Sequence, residues 1–326
     1  MFGVYRFTLA TLVVLTHLWP SAYHHAGLYA VFSFYMLSGY LMTFIMNEKY
    51  GFKNKGITKY LVNRALRIYP TYLICMGLTA ALVYAFPWLT WQLSRSVTMP
   101  GSLHLWFSNI FIIGLDGFSR GRFVPQAWSL YVEIIFYLLI GLVLARKKAL
   151  VVAWLIFGII STMYLSGGEV RDTVFSITAG SLPFSLGATV YYFKDEFGTA
   201  RPAFLIIAVV LYLLNISNLA GSVHESGMYL SLYLSFLLLI VLKDLKRPEK
   251  TFTQKIDNLL GDLSYPMYVS HFLAGLLVLW AFFPNVPRHR GVDFFILAYG
   301  YTLIISYVLH VSVEKRINSI RERVKQ

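Results

Sequence analysis

Residues Arg6–Pro20 read RFTLATLVVLTHLWP, a stretch that is apolar except at its two ends. Eleven residues separate Arg6 from His17, so both side chains lie on one face of a helix, about 16 Å apart along its axis. Ionisable side chains are rare at membrane depth and usually face an interior or a cavity. The stretch therefore predicts a membrane helix with a cation at one end and an imidazole half a bilayer away. A snorkelling arginine and a hydrogen-bonded core histidine would explain the same helix.

Composition extends this prediction to the whole chain. Of its 326 residues, 57% are hydrophobic and 13% are charged, and the mean hydropathy is +0.62. A soluble chain of this length needs more charge to cover its surface. We therefore expect one all-α polytopic membrane domain over residues 1–326, since no repeat, low-complexity tract or long linker divides it. The single cysteine, Cys75, excludes a disulfide within the chain.

Ten apolar runs are suited to membrane spans, and an eleventh, Leu103–Leu115, has only about 13 of the roughly 20 residues that a span needs. The ten are Phe7–Trp19, Leu28–Met46, Ile68–Phe86, Ala127–Ala145, Ala149–Leu165, Val174–Phe193, Ala203–Leu219, Met228–Leu242, Tyr265–Phe283 and Val292–Val313.

Lysine and arginine decide how the short run is treated. If residues 103–126 are re-entrant or interfacial, 22 of these cations fall on the side of the two termini and 6 on the other side. A crossing segment would instead place Arg146–Lys148 outside. Because cytoplasmic loops carry the excess of Lys and Arg, about ten transmembrane helices with both termini cytoplasmic are predicted. This topology also explains the net charge of +13 without a nucleic-acid partner.

Two arginines precede the third span in NRALRIYP. Arg64 and Arg67 are three residues apart and share a helical face. Guanidinium groups suit phosphate because each fork donates two parallel hydrogen bonds. Cytoplasmic arginines are also what membrane orientation requires by itself, so both interpretations stay open.

A carboxyl group lies within the fourth predicted span, in QAWSLYVEIIFY. Glu133 is flanked by Ser129 and Tyr137 at four residues on either side, which predicts a polar stripe that faces inward. The predicted topology places Glu133 about two turns inside the outer end, where it is expected to meet His17. A neutral structural glutamate is the alternative.

The ninth span begins LSYPMYVSHF, and Pro266 is expected to open it because the first helical residue needs no N–H partner. Tyr268 and His271 follow on one face. In the second span, FYMLSGYL places Ser38 beside Gly39, a small pair that allows two helices to approach closely.

Taken together, these motifs resemble the integral-membrane acyltransferase-3 family, bacterial envelope acyltransferases that include O-antigen acetylases. The resemblance covers nearly the whole chain. The final span departs from it, because members often show Glu followed by Pro, whereas Lys315 follows Glu314 in HVSVEKRI. The chain looks like the form without a fused SGNH domain. The motifs that carry the resemblance are Arg6 with His17, FYMLSGYL, Arg64 with Arg67 before IYP, WSLYVE with Glu133, and LSYPMYVSHF with His271.

The resemblance implies transfer of an acyl group, acetyl above all, from cytoplasmic acyl-CoA to a hydroxyl of an envelope polysaccharide. His17 and Glu133 would be catalytic, with His17 either a general base that Glu133 orients or a nucleophile that carries the acyl group. The residues expected to bind acyl-CoA are Arg6, Arg64, Arg67, His271 and Tyr268. The residues expected to line the acceptor site or channel are Ser129, Tyr137 and Ser38.

The implied partners are acyl-CoA as co-substrate, a glycan or lipid-linked glycan, membrane lipid, and a second copy of the chain or polysaccharide-export machinery. No metal, no permanently bound cofactor and no nucleic acid are expected, and the expected location is the bacterial inner membrane. A proton-coupled glycan or lipid transporter and a polysaccharide polymerase are the competing functions. Only the acyltransferase requires acyl-CoA.

Overall fold

The computed structural model describes residues 2–20, 25–165, 174–198, 202–216, 224–245, 252–284 and 291–325. Within these ranges every regular element is helical, which confirms the all-α class. The helices are α1 (Phe2–Leu18), α2 (Ala26–Ile45), α3 (Asn54–Ala85), α4 (Leu103–Phe111), α5 (Ala127–Leu139), α6 (Lys148–Leu165), α7 (Ile177–Tyr192), α8 (Pro202–Ile216), α9 (His224–Asp244), α10 (Phe252–Phe282), α11 (Val292–Leu309) and α12 (Lys315–Lys325).

The long helices coincide with the predicted spans. Seven helical segments of the described chain are long and apolar enough to cross a membrane, and Phe2–Leu18 and Phe204–Ile216 are shorter apolar helices. Two of the segments end in a turn of π-helix, at Met46–Tyr50 and Ile140–Leu144, and a third contains one at His310–Glu314. The chain is therefore a multi-pass membrane protein.

Helix α4 does not cross. Its last turn reaches α3, where the hydroxyl of Tyr72 donates to the carbonyl of Asn109 at 2.5 Å. Helix α3 continues 13 residues further to Ala85, which is about 20 Å at 1.5 Å per residue. The chain then turns back, because the N–H of Arg122 donates to the carbonyl of Ser96 at 2.9 Å. The segment thus enters and leaves on one side, as the charge count predicts.

Arg122 fixes the irregular backbone of this re-entrant segment. Its side chain is only 1% exposed, and each of its five N–H groups has an acceptor. Buried donors need partners where water is excluded, so this arginine is structural. The acceptors are the carbonyls of Ser119, Asp116, Pro125 and Gly117 and the hydroxyl of Ser96.

The same segment holds a carboxylate in its charged form. Burial acts to raise the pKa of Asp116, but hydrogen bonds from the N–H groups of Ser119 and Phe118 outweigh it and hold that pKa below its usual value. Hydrogen bonds to the charged form are what lower a carboxyl pKa.

The loops that charge counting assigns to one side do lie at one end of the bundle. Four contacts, two to backbone groups and two between charged side chains, join eight of the helices there in pairs. They are Asn47 with the carbonyl of Ala145, Lys148 with Glu196, Asp257 with the N–H of Val4, and Arg67 with Glu314.

The position predicted for Pro266 is wrong. The proline lies well inside α10, which begins at Phe252 and runs without a break. The first turns of α10 are held against α1, because Asp257 Oδ1 accepts the N–H of Val4 at 2.9 Å. A Cβ on Gly3 would lie 1.6 Å from the carbonyl of Asp257. This close packing stabilises the helical turns before Pro266, although the sequence predicted that the helix begins at the proline.

The small pair in α2 packs as predicted. A Cβ on Gly39 would lie 2.1 Å from the carbonyl of Phe184 in α7, and one on Gly187 would lie 1.9 Å from the carbonyl of Met36. Both obstacles are backbone atoms, so α2 and α7 pack closely through glycine.

We expect Lys147→Cys to react with a membrane-impermeant maleimide only after the cells are opened, and Arg95→Cys to react in intact cells. The native Cys75 is buried and gives a low background. Labelling of Lys147→Cys in intact cells would contradict both the ten-span topology and the cytoplasmic termini.

We expect Gly187→Ala to destabilise the protein by about 1–3 kcal/mol, because overpacking a close contact costs that much. Gly77→Ala is the matched control, since a Cβ there meets nothing within 4 Å. Thermal unfolding in detergent, followed by tryptophan fluorescence, measures the difference. Equal melting temperatures for the two variants would contradict the close packing of α2 on α7.

Candidate functional site

A cavity lies among α1, α2, α3, α5 and α10. Eight of the ten residues that the sequence singles out line it, so these eight lie close together. The two that do not line it are His17 and His271. The eight are Arg6, Ser38, Arg64, Arg67, Ser129, Glu133, Tyr137 and Tyr268.

The three arginines of the cavity hold more N–H groups than the protein satisfies. In the described part of the chain, no residue accepts a hydrogen bond from the guanidinium group of Arg6. Arg64 donates to Asn63 Oδ1 at 2.8 Å and to the sulfur of Met42 at 3.4 Å, while its buried Nε has no acceptor there. Unsatisfied guanidinium donors at membrane depth favour a bound anion, and phosphate oxygens fit them best.

Arg67 is the exception because it has a buried counter-ion. Its Nη1 lies 2.6 Å from Glu314 Oε2, and the side chains are 17% and 3% exposed. The other oxygen of Glu314 accepts from the hydroxyl of Thr71 at 2.5 Å. Sequence reasoning left Glu314 unassigned, because the residue after it departs from the family pattern.

Glu133 lies at the arginine end of the site. It accepts hydrogen bonds from Ser38 Oγ at 2.7 Å and from the hydroxyl of Tyr137. The guanidinium of Arg64 lies 5.9 Å from the centre of the Tyr137 ring. The carboxylate is therefore fixed by two hydroxyl groups beside the cations.

The predicted contact between Glu133 and His17 is wrong, since no hydrogen bond joins them in the described structure. Gln126, seven residues earlier, lies nearer to the histidines and donates to the carbonyls of Tyr268 and Val269 at 2.8 and 3.0 Å. Seven residues span about 10 Å of helix, so Glu133 lies two turns deeper, away from the histidine. Gln126 is a polar residue directly before the span that begins at Ala127, and this position was the sequence signal that could have identified it.

His17 pairs with His271. The distance from His17 Nδ1 to His271 Nε2 is 3.0 Å, and the ring planes differ by 8°. The two rings are nearly parallel, their centroids are 5.0 Å apart, and a hydrogen bond joins the two nitrogens. The prediction that His271 lines the donor site with the arginines is therefore wrong. His271 lies one helical turn beyond Tyr268, outside the cavity.

The hydrogen-bond chain determines where the protons lie on the two neutral rings. His271 Nδ1 lies 2.8 Å from the carbonyl of Tyr268, which can only accept. That nitrogen therefore carries the proton, and His271 Nε2 accepts from His17 Nδ1. Nε2 of His17 then holds the lone pair of its ring, which is the form that a general base or a nucleophile requires.

Tyr268 separates the cavity from the histidines. Its ring contacts His271 on one side and Phe34 on the other, with centroid distances of 6.3 and 6.2 Å. Its hydroxyl lies 2.5 Å from Ser129 Oγ and 3.1 Å from the carbonyl of Gln126. The site therefore has a cationic compartment and a histidine compartment with one aromatic layer between them. The described residues contain no group of three or more His, Cys, Asp and Glu that could hold a metal.

We expect Glu314→Leu to lower stability by about 3 kcal/mol, because Arg67 would remain in place without its counter-ion. This value is at the low end for a buried pair, since Arg67 also faces the cavity. Arg67→Met combined with Glu314→Leu should recover most of the loss, because the lone charge is gone. Thermal unfolding in detergent measures both variants, and a double variant as unstable as Glu314→Leu would contradict the charge explanation.

Comparison with known proteins adds a family. A family model described as an acyltransferase domain matches residues 3–311. The O-acetyltransferase OatA of Staphylococcus aureus, in strains NCTC 8325, COL and MRSA252, is 23% identical over an alignment of 295 positions that covers 80% of this chain. The chain spans about half the length of these curated relatives, 48%. No solved structure matches the chain significantly.

Proposed function

Because this chain belongs to the acyltransferase domain family, we propose that it transfers an acyl group from cytoplasmic acyl-CoA to a hydroxyl of an envelope polysaccharide in the bacterial inner membrane. Acetyl is the favoured acyl group, since the relatives are named O-acetyltransferases. The observation that carries the proposal is the arrangement of a cavity lined by three arginines next to a hydrogen-bonded histidine pair.

The cavity suits the polar end of the donor. CoA carries a pyrophosphate and a 3′-phosphate at one end and its thioester at the end of a long, thin arm. Arg6 and Arg64 provide the unsatisfied N–H groups that phosphate oxygens need. The arm would point outward past Tyr268 and Phe34, because His17 lies three helical turns beyond Arg6 along α1.

His17 would act on the thioester. As a general base, its Nε2 takes the proton of the acceptor hydroxyl while that oxygen attacks the thioester carbonyl carbon. The carbon–sulfur bond then breaks, and the CoA thiolate leaves and takes up a proton. His271 stabilises the imidazolium, because its Nε2 accepts the N–H of His17 Nδ1. Attack by His17 itself, with an acyl-histidine intermediate, uses the same nitrogen.

Glu133 receives a different role from the one that the sequence suggested. It lies with Ser38 and Tyr137 in the cationic compartment, so it does not orient His17. We assign it to the donor: its carboxylate partly balances the three arginines and can accept hydrogen bonds from the amide N–H groups of the pantetheine arm.

The competing functions differ in their need for the donor. A proton-coupled transporter could use histidines and a glutamate as a proton relay. Here Glu133 and the histidine pair lie in different compartments, with Tyr268 between them, which does not favour a continuous relay. A polymerase shares the glycan but needs no acyl-CoA.

We expect His17→Ala to lower acyl transfer by at least 10²–10⁴-fold, the contribution of base catalysis. CoA binding should be unchanged, because the phosphates lie about 16 Å away along α1. Mass spectrometry of envelope polysaccharide measures transfer, and calorimetry on the purified protein measures binding. His104→Ala is the matched control, since this histidine is exposed on α4.

His271→Ala should also lower transfer, and the double variant should be little worse than the worse single variant, because the two rings act as one unit. Full transfer by His17→Ala would contradict the catalytic assignment. Wild-type protein that neither binds CoA nor changes the polysaccharide would contradict the proposed function as a whole.

A further inference from the structure

The last helix, α12, lies beyond the residues that the family model matches. It continues from α11 through the π-helical turn that ends at Glu314. It is held against α3 by a reciprocal pair of hydrogen bonds. Asn63 Nδ2 donates to the carbonyl of Arg321 at 3.2 Å, and Arg321 Nε donates to Asn63 Oδ1 at 3.1 Å.

This contact brings a fourth arginine next to Arg64, one of the three that line the cavity. The same oxygen, Asn63 Oδ1, accepts from Arg64 at 2.8 Å. Two guanidinium nitrogens therefore lie within about 6 Å of each other across one neutral oxygen atom. Arg67 and Arg64 both act on Arg321 by charge repulsion.

Two carboxylates act favourably on Arg321, Glu314 and Glu322, and both already have partners. Arg67 and Thr71 bind the two oxygens of Glu314, and Lys325 binds Glu322. Arg321 Nη1 donates to Asn318 Oδ1 at 2.6 Å, and nothing in the described chain accepts from its Nη2. Like charges this close destabilise the site unless an anion joins them.

We propose that Arg321 binds the 3′-phosphate of CoA, the phosphate that lies farthest from the thioester. This inference rests on the proposed function. The cavity arginines Arg6 and Arg64 hold the pyrophosphate, and Arg321, on the outer side of Asn63, holds the phosphate on the far side of the ribose. The short distance between Arg64 and Arg321 matches the span of one ribose ring between two phosphate groups. Arg321 thereby makes the enzyme selective for CoA over dephospho-CoA, which lacks only this phosphate.

The test compares binding of CoA and dephospho-CoA by calorimetry, with the full chain in discs of neutral lipid. Wild type should bind CoA about tenfold or more tightly than dephospho-CoA, the effect of one charged hydrogen bond. Arg321→Gln should lose this preference by weakening CoA binding alone. Arg321→Lys, which keeps the charge, should retain part of it. Arg323→Gln is the matched control, since this exposed arginine lies on the same helix and the change removes the same charge.

Other outcomes separate the explanations. Equal weakening of both ligands by Arg321→Gln would overturn the inference and make Arg321 a structural tether. An equal loss in Arg323→Gln would also overturn it, because the preference would then reflect overall charge. A wild type that binds neither ligand would overturn the proposed function and this inference with it. Thermal unfolding of each variant ensures that only folded protein is compared.

Discussion

The hydrocarbon around these helices holds no water, so buried polar groups must find partners within the chain. Arg122 meets this constraint completely, with five acceptors for five N–H groups, and it thereby fixes the re-entrant segment. Gln126 follows that segment and binds two carbonyls of α10. The irregular backbone at membrane depth is thus a scaffold, and it determines where α5 begins and how deep Glu133 lies.

The places where the constraint is not met mark the site. The buried Nε of Arg64 has no acceptor within the described residues, although buried polar groups are nearly always paired. Arg67 differs because Glu314 balances it. An incomplete set of partners around three cations is costly in an isolated protein and becomes favourable when a polyanion binds.

The two compartments explain how one site can handle both ends of a long substrate. The arginines and Glu133 lie on one side of Tyr268, and the paired histidines lie on the other. The carbonyl of Tyr268 accepts from His271 Nδ1 and so fixes the proton on that nitrogen. The ring of Tyr268 closes the end of the cavity that faces the histidines. Tyr268 therefore orients the histidine pair through its carbonyl, while its ring lies between the two compartments.

The sequence by itself determined the helical class, the spans, the re-entrant segment and eight of the residues that meet in the cavity. The length of apolar runs, the charge of loops and the helical period are local properties, so they can be predicted from the amino-acid sequence. It misplaced Glu133, because the depth of a residue depends on where the preceding segment ends, and Arg122 sets that point through contacts between distant parts of the chain. It left Glu314 without a role, because Lys315 follows it where the family pattern has proline, and it missed Asn63 and Arg321, because nothing local distinguishes them. The packing of α12 on α3 decides that Arg321 lies beside Arg64, and the packing of α10 on α1 decides that His17 is hydrogen-bonded to His271. Only the tertiary structure determines these pairs, because they depend on the register between helices that are far apart in sequence.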